Sequence, residues 1–552
     1  MGRPTIDSMM TVMPSLPALL EHIGYPRQKK QRIPLLQLAL ILLAGAAHAA
    51  SIAWPFAFGL AQGQPLGWLQ LLALAGLAWL LNRCISFRQG LAVGWLFATA
   101  WLCGIFWWLF ISLHTYGGLA SPLAVIAVLG LAVFLAAYYA LACAVFVAIA
   151  PAGATRRAAV FAALWLGAEL ARVEFFTGFP WGEAGYAHLG GWLEGYARWI
   201  GVHGITFLAA FLAAGLAGWG RSRRQWLLFP LLALAIAGGS VLAGRQSSTP
   251  AGSLQVTLLQ GNIPQNEKFQ PGSGMATALR WYGEQLQGAK TALVVAPETA
   301  LPLLPQQLPD GYWPALQKRF ATGGQAALIG MPLGSDGAYS NAVVGFKPAS
   351  AAAAAQGYRF DKHHLVPFGE FVPPGFRWFI DLMHIPLGDF SRGPLGQPSF
   401  EWQGQRLAPN ICYEDLFGEE LAAAFVNPAT APTILVNVSN IGWFGNTVAI
   451  DQHLNISRMR ALEFERPMLR ATNTGATVVI DHTGQVTHEL PRHTRGALVA
   501  EVQGRNGITP YAQWVSRLGL WPFWGSAAVL VLLAWLARRR RPATGRLMLS
   551  NK

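Results

Sequence analysis

Apolar and polar positions divide this chain into three stretches. Up to about residue 244, long apolar runs follow one another with short polar breaks. From about 245 to 517 polar and apolar residues mix as in a globular domain, and one more apolar run then follows. A helix needs about 20 mostly apolar residues to cross a bilayer. Candidate spans are 34–50, 66–81, 91–113, 122–150, 158–172, 203–219, 226–244 and 519–537, which makes about eight. The pattern predicts a membrane α-helical bundle carrying one large extramembrane domain. Its parts are an N-terminal extension (1–33), a membrane part (34–244), the extramembrane domain (245–517), a final span (518–537) and a basic tail (538–552). The first run follows Arg27, Lys29, Lys30 and Arg32 and lacks a clear cleavage site, so it reads as an anchor.

Within 245–517 the pattern is strand, turn, helix, repeated. Leu254–Gln260, Ala292–Ala296, Ala326–Gly330, Leu407–Cys412, Thr433–Val438 and Ala476–Ile480 read as short strands. Met275–Leu286 and Ile450–Glu465 read as helices. Strands alternating with helices imply a layered α/β fold. In such folds, sites gather at the carboxyl ends of strands. The alanine run Ala349–Gln356 reads as a surface loop or short helix without chemistry.

Composition sharpens this division. The chain is 53% hydrophobic and 12% charged, against roughly 25% charged in an ordinary soluble domain. The net charge of +14 does not point to nucleic acid, because the basic residues cluster in short loops between apolar runs. Arg83 and Arg88, Arg156 and Arg157, Arg221 to Arg224, and Arg538 to Arg541 follow alternate runs. The loop His114 to Ser121 has no Lys or Arg. The positive-inside rule then puts both ends of the chain in the cytoplasm and residues 245–517 on the opposite face, the periplasm where an outer membrane exists. The outward loop Phe175 to Gly201, with Phe179-Pro180-Trp181, Tyr186, Trp192 and Trp199, reads as an aromatic belt or as the wall of a lipid-facing cavity. Glu169 and Arg172, one helical turn apart, are positioned to pair.

Four cysteines without paired spacing suggest neither a disulfide framework nor a zinc site. Cys84, Cys103 and Cys143 lie in or beside apolar runs, whereas Cys412 lies in a polar stretch at a strand end. A cysteine thiolate is a strong nucleophile able to carry an acyl group. It needs a base, donors for an oxyanion, and a proton for the leaving group. Glu298, after Val294-Val295-Ala296-Pro297, is the candidate base. Lys362 is the candidate cation. His363, His364 and His453 are rival bases in a Cys–His arrangement.

Six motifs stand in order along the chain: Gly261-Asn262-Ile263-Pro264-Gln265 with Lys268, Pro297-Glu298-Thr299, and Lys362-His363-His364-Leu365-Val366-Pro367-Phe368-Gly369-Glu370, then Asn410-Ile411-Cys412-Tyr413-Glu414, Asn437-Val438-Ser439-Asn440 with Trp443-Phe444-Gly445, and Arg470-Ala471-Thr472-Asn473-Thr474-Gly475. By these motifs the sequence resembles the apolipoprotein N-acyltransferases of bacterial lipoprotein maturation, and its extramembrane part resembles the nitrilase superfamily. The resemblance covers roughly residues 34 to 537. It implies an αββα sandwich with Glu298 as general base, Lys362 as oxyanion stabiliser and Cys412 as nucleophile. Glu370, Tyr413 and Glu414 are the implied supporting residues. Phe269 (where family members often carry a tryptophan), Trp443 and Trp181 are the expected substrate contacts.

The resemblance further implies ping-pong acyl transfer through a cysteine thioester. The donor is a membrane phospholipid, typically phosphatidylethanolamine through its sn-1 chain. The acceptor is the α-amino group of the diacylglyceryl-cysteine of an apolipoprotein. No metal or organic cofactor and no nucleic acid is expected, and the protein is expected to be a monomer in the bacterial inner membrane. A membrane-tethered nitrilase-type amidase and a non-catalytic receptor or transporter are the rival readings.

Overall fold

Helices form along the apolar runs because a backbone in hydrocarbon must satisfy its own hydrogen bonds. The computed structural model describes residues 33–220, 223–335, 338–348, 357–373, 375–377 and 390–540. Most of the N-terminal extension, the alanine run and the end of the basic tail lie outside the described residues. The chain divides into two compact units, residues 1–40 and residues 41–552. In the first, the described residues open helix α1 (Leu35–Ile52). Then come α2 (Gly67–Leu81), α3 (Phe87–Phe106), α4 (Ser121–Ile149), α5 (Ala154–Glu174), α6 (Ala197–Gly218) and α7 (Arg223–Ala243).

Among the described residues, six helices are long and apolar enough to cross a membrane: α1, α3, α4, α6, α7 and a last helix at Trp521–Arg539. Helix α2 is shorter. Helix α5 is long but carries Arg156, Arg157, Glu169, Arg172 and Glu174. The apolar run 91–113 does not stay one helix. It bends after Phe106 into short turns, and Trp108 there packs on Trp181 and Phe444 instead of facing lipid. Glu169 and Arg172 do not pair either. Arg172 turns to the Tyr139 hydroxyl and to the carbonyls of Phe179 and Trp181, while Glu169 accepts from the N–H of Ala184 at 2.9 Å.

Among the described residues, the stretch after α7 builds twelve strands in two six-stranded sheets. The first has the order β12-β1-β2-β3-β4-β5, from β1 (Thr249–Gln260), β2 (Leu293–Ala296), β3 (Ala326–Ser335), β4 (Ala338–Phe346), β5 (Tyr358–Asp361) and β12 (Gly496–Asn506). The second runs β11-β10-β9-β8-β7-β6, from β6 (Phe400–Trp402), β7 (Gln405–Ile411), β8 (Ile434–Ser439), β9 (Met468–Thr472), β10 (Val478–Ile480) and β11 (Val486–Glu489). Each sheet has a parallel centre, β1-β2-β3 in one and β7-β8-β9 in the other, with antiparallel edges.

Side chains of a strand alternate between faces, and the two cores follow that alternation. Leu293 and Val295 join Leu407, Ile411, Val436 and Val438 between the sheets. Val294 and Ala296 face the other way, onto Ala278, Tyr282 and Leu286 of α8 (Ala276–Gln287) and Leu316 and Phe320 of α9 (Tyr312–Thr322). Helix α10 (Ala449–Phe464), which is buried along nearly its whole length, connects β8 and β9. Helix α11 (Pro510–Leu518) and the final helix, α12 (Trp521–Arg539), follow β12. The sandwich is nitrilase-like in having two sheets face to face. Several strands had no clear sequence signal, notably β12, whose burial alternates with exposed Val499 and Glu501, and β9, which carries the buried Arg470.

Helices α3 and α4 approach closely through Gly90 and Gly94. A Cβ at Gly94 would stand 2.6 Å from the Cβ of Cys143, and one at Gly90 would stand 2.8 Å from Val147 Cγ2. Small residues four apart let membrane helices pack backbone to backbone. Gly94→Leu is expected to destabilise the bundle by about 1–3 kcal/mol through overpacking. Thermal unfolding in detergent measures this, and an unchanged Tm would contradict the packing.

Candidate active site

Three strand ends deliver the predicted triad. Glu298 follows β2, Lys362 follows β5 and Cys412 follows β7. Several residues there hold left-handed backbone: Asn262, Thr299 and Phe368, as well as Cys412 itself at φ 54°. Non-glycine residues in that region cluster at functional sites, because surrounding packing must hold them. At Cys412 the turn ends the strand and starts a 3-10 turn.

Lys362 Nζ lies 2.8 Å from Glu370 Oε1 and 3.5 Å from Glu298 Oε1. The Asn341 side-chain amide donates to both carboxylates, at 2.7 Å to Glu298 and 2.8 Å to Glu370. The other Glu298 oxygen accepts from the N–H of Asn440 at 2.8 Å. The other Glu370 oxygen accepts from the N–H of Val366 at 2.8 Å. Burial pushes the Glu298 carboxyl up, but Lys362, Asn341, Lys268 and the Asn440 N–H together draw it below its ordinary value. Burial draws Lys362 down, but Glu370, Glu298 and Cys412 more than reverse that, so its charge is held firmly.

The Cys412 thiol is pushed up to about 12, first by burial and then by the Glu298 carboxylate; Lys362 and Ser439 pull the other way. Ser439 donates its hydroxyl to the sulfur at 3.3 Å. Glu414 accepts from the N–H groups of Ile411 and His363, each at 2.6 Å, and ties the strand before Cys412 to the Lys362 segment. Burial raises Glu414 to about 7 against the pull of those donors.

The rival histidines are engaged elsewhere. His363 donates from Nδ1 to the carbonyl of Gly393 at 2.6 Å. His364 lies between Glu420 and the carbonyl of Thr177. His453 directs Nε2 to Asp415 at 2.9 Å and to the Cys412 carbonyl at 3.2 Å. A polar ladder runs beneath Cys412: Asn410, Asn437 and Arg470 stand side by side on β7, β8 and β9. Asn437 donates to Asn410 at 2.6 Å, and Arg470 donates to Asn437 at 3.1 Å.

The membrane part reaches this site directly. The Tyr413 hydroxyl donates to the Gly178 carbonyl at 3.1 Å, and its ring stacks with Phe179. Gln452 Oε1 accepts from the indoles of Trp108 and Trp181 at 3.0 and 2.8 Å, and its amide donates to the Ile105 carbonyl at 3.1 Å. Phe269 is 49% exposed and Trp443 39%, so both have a free face. Trp181 is only 3% exposed, and its ring lies behind His453. In the segment Phe175 to Gly201, Trp181 and Tyr186 are buried, whereas Trp192 and Trp199 are exposed.

Two features went unassigned in the sequence. Asn341 sits in β4, which had no motif to mark it. Lys268 belonged to a quoted motif but was given no role. It is buried, donates from Nζ to the Glu298 carbonyl at 3.1 Å, and burial draws it down to about 7 against the pull of Glu298 and Cys412. Its position three residues after Gln265 was the available signal.

Residues 46–215 match the family described as the apolipoprotein N-acyltransferase N-terminal domain, and residues 255–511 match the carbon-nitrogen hydrolase family. A protein of Verminephrobacter eiseniae named apolipoprotein N-acyltransferase is 56% identical over 534 residues, covering 92% of this chain and 98% of that one. One of the same name from Ralstonia nicotianae is 46% identical, covering 86% and 90%. Another from Bordetella bronchiseptica is 44% identical, covering 92% and 97%.

The raised thiol has a measurable consequence. The resting thiolate fraction at Cys412 is smaller than that of a free cysteine, whose pKa is about 8.5. Alkylation at Cys412 by iodoacetamide, followed by peptide mass spectrometry, is expected to keep rising with pH from about 7 to about 10 without levelling near 9. A plateau near 8.5 would show a thiol free of the burial described.

Proposed function

The chain belongs to the apolipoprotein N-acyltransferase family, and from that premise we propose how its residues carry out N-acylation. The observation that carries the reading is the meeting of Glu298, Lys362 and Cys412 at three strand ends, beside the Gly178–Trp181 segment of the membrane part. Glu298 takes the thiol proton as the sulfur of Cys412 attacks the ester carbonyl of a membrane phospholipid, phosphatidylethanolamine at its sn-1 chain. Lys362 and the backbone N–H after Cys412 hold the oxyanion. The lysophospholipid leaves with a proton from Glu298, and the acyl chain remains on Cys412 as a thioester. The free α-amino group of the acceptor's diacylglyceryl-cysteine then attacks the thioester. Glu298 takes the proton lost by that amine and returns it to the departing thiolate. Burial keeps water from the thioester between the two steps.

Glu370 and Asn341 position Lys362 and Glu298, and Glu414 fixes the turn that presents Cys412. Phe269 and Trp443 offer exposed rings to acyl chains, with Trp181 supporting the wall from behind. No metal or organic cofactor takes part in this chemistry, and the protein acts as a monomer.

The proposed topology has eight spans, counting α2 and α5, with both ends of the chain in the cytoplasm and residues 245–517 in the periplasm of the inner membrane. Alternating basic loops support this. So do contacts from three outward loops to the α/β layers. Asn455 donates to the Gly63 carbonyl after α1, Trp108 donates to Gln452 after α3, and Tyr413 donates to the Gly178 carbonyl after α5.

Purified enzyme incubated with phosphatidylethanolamine is expected to gain the mass of an acyl chain on Cys412, and Cys412→Ala is expected to lose both adduct and transfer. Full transfer by Cys412→Ala would overturn the covalent route. Glu298→Gln is expected to slow adduct formation by about 10²–10⁴, the usual contribution of a general base. An unchanged rate would remove Glu298 from that role.

A further inference from the structure

A second polar cluster lies apart from the catalytic residues, where the membrane part meets the α/β layers. Glu169 on α5, Glu183 in the outward loop and His203 on α6 bring one ligand atom each to within 4.8 Å of one another. His203 Nδ1 is 3.5 Å from Glu183 Oε1. Glu169 and Glu183 are 0% exposed and His203 is 2%. The Phe523 ring stands edge-on to His203.

The hydrogen bonding of these groups is incomplete. Both oxygens of Glu183, Oε2 of Glu169 and Nδ1 of His203 are buried without a hydrogen-bond partner. Thr206 and Trp165 stand beside Glu169 with polar hydrogens; Glu183 has no comparable donor. None of the ion pairs among the described residues joins Glu169 or Glu183 to a lysine or arginine. The nearby arginines act on Glu183 only through space: Arg172 gives Nε and Nη1 to Tyr139, Phe179 and Trp181 and keeps Nη2 without a hydrogen-bond partner, and Arg460 lies against Glu463. Two buried carboxylates facing each other disfavour their charged forms unless a cation or a shared proton relieves them. Charged groups at this depth in a membrane protein are rare and commonly functional.

We propose that Glu169, Glu183 and His203 bind one divalent first-row metal ion. Two carboxylate oxygens and one imidazole nitrogen are a ligand set that suits Zn²⁺ and Co²⁺, and the second Glu183 oxygen is free to complete the coordination. The ion takes no part in acyl transfer. It ties together α5, the loop and α6, the three segments that hold Trp181 against His453 and Gln452. The site thus stiffens the wall beside the nucleophile without touching the reacting atoms.

The test is metal content. Tag-free, full-length protein in detergent is loaded with Zn²⁺, desalted and measured by mass spectrometry of the metal. About one equivalent is expected, as for a single closed site, falling to below about 0.1 in Glu183→Gln and in His203→Gln. Because a variant can fail to fold, wild-type protein loaded with Co²⁺ provides a second readout, the visible absorption of cobalt held by oxygen and nitrogen ligands. Wild-type protein that retains no more metal than the variants, or gives no such band, overturns the proposal. So does a shared proton, seen as no metal uptake together with a higher Tm for Glu183→Gln.

Discussion

The pairing of one buried lysine with two buried carboxylates governs the architecture of the catalytic layer. Lys362 lies between Glu298 and Glu370, and a charge taken out of water is tolerated only when paired and hydrogen-bonded. Glu298 comes from a different segment than Lys362 and Glu370, so the pairing holds only when those two segments meet. Asn341 closes the arrangement from β4 by donating to both carboxylates. The parallel centres of both sheets follow from the same need, because they bring β2 and β7 to end at one place. Removing Lys362 would leave two buried carboxylates without the cation they share.

The same economy links this layer to the membrane part. Gln452 binds two indoles and a helix-end carbonyl, and the next residue, His453, reaches the carbonyl of Cys412. Tyr413 and His364 reach the Gly178 and Thr177 carbonyls of the outward loop. The turn at Cys412 is therefore held from both sides of the junction. Sequence alone pointed to an aromatic belt or a cavity wall for this loop. In the structure Trp181 and Tyr186 are buried, whereas Trp192 and Trp199 are exposed.

The sequence made the broad fold legible because its two signals are strong. Apolar runs mark membrane helices by length, and short β-branched runs ending at Glu298 and Cys412 mark strands that stop at a site. Weaker signals hid the rest. Strand β12 alternates buried and exposed positions, and β9 places the buried Arg470 where an apolar residue is expected. Asn341 carries no motif, and its importance appears only when β4 sets it between two carboxylates. The helical spacing of Glu169 and Arg172 suggested a pair, but the carbonyls of the Phe179–Trp181 loop satisfy the arginine instead. Spacing along one helix does not reveal what a neighbouring loop will offer.

The electrostatics of the site also constrain the order of events in the proposed mechanism. Burial and Glu298 hold the proton on Cys412, while Lys362 and its neighbours keep Glu298 ionised. The resting enzyme is therefore a thiol beside a ready base, not a preformed thiolate. Such a thiol is poorly reactive toward water-borne electrophiles, and it becomes a nucleophile when an ester carbonyl is close enough to take the sulfur as the proton leaves. Charge then moves from the sulfur to the ester oxygen, toward Lys362, instead of accumulating on sulfur in a dry site. Lys268, which donates to the Glu298 backbone carbonyl and is drawn down to about 7 by burial, adds its share to the pull that keeps the Glu298 carboxylate ionised. A nucleophile activated only by its substrate suits the proposed mechanism, in which the acyl group rests on that sulfur as a thioester that water must not reach.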